Sequence, residues 1–126
     1  MADFGIYTKN ADIAARAGDD VSATAIAIAA TDVYVLNVEG FINSATRYNW
    51  SDVFAGLNAE VSGILTETGA CLCAIYALLY KPSGETGNLV RIEFEDRINI
   101  LRDIALRNIS ILRDAKTQKF INAAWF

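Results

Sequence analysis

Residues 23–46, ATAIAIAATDVYVLNVEGFINSAT, decide the fold class. Steps of about 100° per residue gather Asp32, Glu39, Asn43 and Thr46 into one narrow polar stripe. Ile26, Ile28, Val33, Tyr34, Val35, Leu36, Phe41 and Ile42 fill the rest of the circumference. This period predicts a single long helix with more apolar surface than one small bundle can cover. The helix is therefore expected to be contacted on several sides.

Local signals on either side extend the reading. Ser22 is placed to cap this helix, which should end near Arg47. Upstream, Asn10 is expected to cap a short helix over 11–17 with Asp12 in its first turn, and Gly18 to supply a left-handed stop before the turn Asp19-Asp20. Residues 1–9, with Phe4, Ile6 and Tyr7, show no helical period and read as an arm, extended or docked on a neighbour. Downstream, the loop RYNWSD leads into a short stretch capped by Asn49 or Ser51, and Gly56 can break it early.

A second long helix is expected from about Leu57 to Tyr80 or Lys81, with Val61, Ile64, Leu65, Thr68, Leu72, Ile75 and Leu79 at steps of three and four. Gly63 and Gly69 each cost about 1 kcal/mol inside it, a cost that makes sense where a neighbouring helix approaches closely or, equally, where the helix kinks. Lys81 to Asn88 holds the only proline, Pro82, and reads as a loop. Residues 91–116 form a third, amphipathic helix with Phe94, Ile98, Leu101, Ala105, Ile109 and Leu112 on one face. Glu93/Arg97 and Asp103/Arg107 stand as acid-first pairs along it. The expected architecture is all-α: a bundle of three main helices plus a short N-terminal helix. Its parts are an arm (1–9), a helical core (10–116), a flexible loop (81–90) and a tail (117–126), in one domain.

Composition narrows the function classes. The 126 residues carry a net charge of −4 and no histidine. An acidic balance argues against a sequence-specific or general nucleic-acid binder, which needs clustered Lys and Arg. Without imidazole, Ser-His-Asp and Cys-His catalysis are excluded in their usual form. Asp32 and Glu39 share a helix face, and Glu60 and Glu67 are further carboxylates; surface polarity explains them more simply than acid–base chemistry, so no enzyme is expected. The two cysteines, Cys71 and Cys73, lie too close in sequence for an unstrained bridge and lack partners for a metal site, so they read as small core residues and no cofactor is implied. The longest apolar run, Ala70 to Tyr80, falls short of the ~20 residues that span a bilayer, and no export signal or membrane anchor is expected.

Charge is uneven along the chain. Residues 1–80 hold nine acids and three bases, a balance of −6, and residues 81–126 hold six acids and eight bases, a balance of +2. Copies arranged head to tail would bring opposite charges together. The tail, TQKFINAAWF, places Phe120, Ile121, Trp125 and Phe126 where they need burial against the bundle or a partner. Tyr48 and Trp50 stand in the same position, with Arg47 beside them to meet a carboxylate on a neighbour.

The order of pieces, a short helix IAARAG (13–18), an acidic turn DD (19–20), a long Ala-rich helix ending in FINSATRYNW (41–50), then two more long helices, resembles the head-to-tail connector, or adaptor, proteins of tailed bacteriophages. The similarity covers residues 10–116. The resemblance implies a homo-oligomeric ring, typically of twelve copies, in the virion neck, made in the host cytoplasm and docked between the portal and the next neck or tail protein. It implies that the loop 81–90, with Lys81, Pro82 and Glu85, and the two terminal segments reach those partners. The hydrophobic end AAWF departs from the long C-terminal arm common in such adaptors, and the family brings no catalytic residues. The alternative reading is a small cytosolic helical module whose apolar helix closes a twofold dimer.

Overall fold

A computed structural model of the chain describes residues 3, 5–18, 23–80 and 91–121, and every regular element among them is helical. The elements are α1 (Asn10–Ala17), α2 (Ile28–Thr46), α3 (Trp50–Val53) running into a 3-10 turn (Phe54–Gly56), α4 (Ala59–Tyr80), α5 (Arg91–Leu112) and α6 (Ala115–Ile121). The all-α bundle with three long helices is as the periodicity predicts.

The centre of the bundle is α4, which packs against α1, α2 and α5. Its stretch Ser62–Leu79 is long and apolar enough to cross a membrane, with a mean hydropathy of 1.5, but 56% of it is buried inside this fold. Two clusters make the core. Tyr7, Ile13, Val35, Val38, Ile42, Trp50, Leu65, Cys73, Leu112 and Ile121 form one. Ala17, Cys71, Ala74, Leu78, Leu101 and Ala105 form the other, where small side chains let α1, α4 and α5 approach closely. Tyr34 stacks on Tyr76 at 5.8 Å, while Val38 and Phe41 meet Leu72, so α2 runs antiparallel to α4.

Several boundaries differ from expectation, each for a local reason. The long helix begins at Ile28 and not at Ala23: Asn10 Nδ2 takes the Ile26 carbonyl at 2.6 Å, and Ala27 is extended, so residues 23–27 turn instead. Ser22 lies outside the described residues. Asn10 is the first residue of α1 and not its cap; Lys9 precedes the helix, and the Asp12 carboxylate accepts the Lys9 amide at 3.0 Å. Gly18 does end α1 with φ +82°.

The third long helix stops at Leu112, because Asp114 restarts the chain as α6: its carboxylate accepts the Lys116 amide at 2.9 Å. Gln118 Nε2 then donates to the carbonyls of Leu112 and Thr46, closing the ends of α5 and α2 together. Ile121, expected in the tail to need cover from either the bundle or a partner, is therefore buried in the first core cluster.

The cysteines are buried and free, as expected for small core residues. Burial pushes the Cys73 thiol up to about 12, with Glu39 adding to the rise. Burial likewise raises Cys71 and the Tyr7 phenol. All three stay neutral in the folded chain at a pH where the unfolded chain ionises. Raised folded values mean stability that is complete below the ordinary thiol value and lost as pH climbs toward the folded value. The urea midpoint is expected to be flat from about pH 7 to 8 and to fall steadily above about pH 9, by roughly tenfold in the folding equilibrium per pH unit for each ionising group. Urea titrations followed by circular dichroism across this range check it; Cys73→Ala should flatten the slope.

Candidate interaction surface

Helix α2 is built inside out in its charges. Its two ionisable side chains, Asp32 and Glu39, are buried, and the face turned to water carries Ala29, Val33, Leu36, Asn37, Gly40, Phe41 and Ser44, none of them a charged residue type. Val33, Leu36 and Phe41 are 57%, 67% and 51% exposed, and from the adjoining edge of α4 Tyr76 and Leu79 are 47% and 51% exposed. Together these five side chains leave on the order of 500 Å² of apolar surface in water, a patch size that on monomers is often functional. Between α2 and α4 the patch dips into a groove of about 200 Å³ lined by Val38, Phe41, Leu72 and Tyr76.

Glu39 points inward for a structural reason. Its carboxylate accepts the successive backbone amides of Ile6 (3.0 Å), Tyr7 (2.9 Å) and Thr8 (3.1 Å), so one buried charge fastens residues 6–8 to α2. The Tyr7 hydroxyl donates to Asn43 Oδ1 at 3.1 Å, and Asn43 Nδ2 donates to Ser51 Oγ at 3.0 Å, extending the same network to α3. The close approach predicted at Gly69 is real, but what approaches is this arm and not a helix: a Cβ at Gly69 would collide with the Thr8 hydroxyl. At Gly63 a Cβ would meet nothing within 4 Å, so no neighbour explains that glycine.

Six of the thirteen residues expected at an interface have side chains among the described residues. Tyr7 and Trp50 are corrections: both are buried in this chain's own core. Trp50 is fully enclosed because its indole N–H reaches Thr46 Oγ1 at 3.0 Å, and Tyr48 covers it with ring centroids 4.5 Å apart. Ile121 is the third correction, buried beside them. Arg47 is exposed and left-handed (φ 58°) at the end of α2, and Ile6 is 48% exposed, so these two remain open to a partner. Phe4, Lys81, Pro82, Glu85, Trp125 and Phe126, and the side chain of Phe120, lie outside the described residues.

Glu67, another of the carboxylates weighed for acid–base chemistry, is engaged internally. It accepts from Arg16 at 3.3 Å, from Arg107 at 3.3 Å and from the fully buried Asn108 at 2.8 Å, tying α1 and α5 to α4. Arg107 thus reaches across to α4, where the sequence offered it Asp103 on its own helix. An open cleft of about 490 Å³ between α1 and α4 is lined by this Arg16–Glu67 pair together with Asp12, Ser62 and Thr66. Among the described residues no group of three or more His, Cys, Asp or Glu stands close enough to hold a metal.

Sequence reasoning marked α2 as too apolar but not which arc stays wet. The signal lay in the acids: with Asp32 and Glu39 read as inward-facing, the opposite arc has no charge. No known family, curated protein or solved structure matches the chain.

Proposed function

We propose that this chain is a structural virion protein that closes into a ring and connects the DNA-filled head of a tailed bacteriophage, at its portal, to the tail. One observation carries the reading: the outer face of α2 is apolar and free of charge in a chain whose core is already filled. A helix of this kind needs cover, and an uncharged face offers nothing to a polyanion or a charged peptide. A second copy of the chain supplies matching apolar surface. The order of elements, which resembles that of phage adaptors, supports a place in the neck, with the portal on one side and the next neck or tail protein on the other.

The arm clasp fits this role. Fastening residues 6–8 through Glu39 fixes the edge of α2 before neighbours meet, so a copy can present a finished surface. Negative-stain electron microscopy of concentrated protein tests the proposal. Annular particles with rotational symmetry, which bind a portal ring end-on, are the expected result; particles without a central opening contradict it.

A further inference from the structure

We infer that the copies join tail to cleft: the aromatic tail of one copy, Trp125 with Phe126, seats over Gly63 in the cleft between α1 and α4 of the next. This rests on the ring reading and gives its interface. A glycine inside a helix weakens the folding equilibrium roughly fivefold against alanine. No contact within the chain accounts for that cost at Gly63, which is exposed and where a Cβ would meet nothing within 4 Å. Gly63 instead lines the α1/α4 cleft, whose volume of about 490 Å³ has room for a whole aromatic side chain. Phe54 stands in the same lining and offers ring surface to an incoming aromatic.

The tail is the occupant that the chain itself supplies. Ile121 is buried, so residues 122–126 start from an anchored point, and their two large apolar side chains, Trp125 and Phe126, need cover. Charge agrees with the pairing. Lys116 and Lys119 are exposed on α6 just ahead of the tail, and the cleft presents two carboxylates, Asp12 and Glu67, to one guanidinium, Arg16. Position favours the next copy over the same one. Gly63 and Leu72 lie about 180° apart around α4, and Leu72 faces α2. Gln118 ties α6 to the carbonyl ends of α2 and α5. The tail therefore leaves on the α2 side of α4 while the cleft opens on the opposite side, the layout of a heterologous contact, which closes into a ring when its rotation allows.

Complementation between two single-site variants tests the pairing. Gly63→Leu fills the cleft, and Trp125→Asp removes the side chain that enters it. Gly63→Leu should unfold at a urea concentration no lower than the wild type, since the new side chain starts in open space, and Trp125→Asp should keep its helical circular dichroism. Each variant alone should remain monomeric at concentrations at least ~100-fold above those where the wild type assembles. Mixed one to one, they should form a heterodimer and stop, because the one intact tail meets the one intact cleft. Gly63→Ala repeats the test with a single methyl: its urea midpoint should rise while its assembly weakens. Rings formed by Gly63→Leu or Trp125→Asp alone, a mixture that stays monomeric, or a Trp125→Asp chain that loses its helices would overturn the pairing and leave the ring reading standing. A wild type that forms only dimers, or stays monomeric up to about millimolar concentration, would overturn both.

Discussion

Replacing Glu39 with alanine is expected to cost about 3–5 kcal/mol of folding stability, a large share of what a domain of this size holds. The loss has little to do with α2 itself, since alanine is the better helix former. It comes from the arm. Without the carboxylate, the amides of Tyr7 and Thr8 are left buried with no acceptor, and Ile6 must turn to water. Tyr7, nearly fully buried and 5.7 Å from the ring of Phe54, then loses its hold on the core. Glu39→Gln keeps one acceptor oxygen but turns an amide donor toward the other N–H groups, so it should fall between the two. Urea unfolding of both variants checks the order, and proteolysis near residues 3–9 should accelerate in Glu39→Ala at temperatures where the helices persist. An unchanged midpoint in Glu39→Ala would show that the arm contributes nothing.

Trp50→Ala should be as damaging, at about 3–5 kcal/mol, and for a different reason. It empties a site that has no access to solvent and frees Thr46 Oγ1 of its indole partner. The cavity opens where α2, α3 and α6 converge, so the Gln118 contact with Thr46 has less to rest on. Thermal unfolding gives the cost. If Trp50 were instead an interface anchor, the monomer would keep its melting temperature and only assembly would fail, so the two roles separate in a single experiment.

How much of this was legible in the sequence follows from what each signal measures. The three long helices were readable because their apolar spacing repeats over five or six turns, and Cys71 and Cys73 were readable as core residues because no partner chemistry accompanies them. The break at Asp114 was missed because the apolar period runs on through Leu112, and the restart depends on one side chain capping the next turn. The docking of the arm on its own bundle was missed for a deeper reason. Residues 5–9 have no period of their own; they are placed by a carboxylate 31 to 33 residues away and by the missing Cβ of Gly69, contacts that exist only after α2 and α4 have formed. Trp50 was left open between the bundle and a partner, and Tyr7 was offered to a neighbour, since an aromatic in a loop looks exposed until the loop is seen to fold back. In the opposite direction, the acids of α2 looked like ordinary surface polarity, and only their inward placement identifies the bare face opposite.

Sedimentation velocity of the wild-type chain over a wide concentration range tests the ring most directly. The account predicts a discrete large species, near twelve times the 13.7 kDa chain mass, in exchange with monomer and with few intermediates. A boundary that never exceeds the dimer would contradict it.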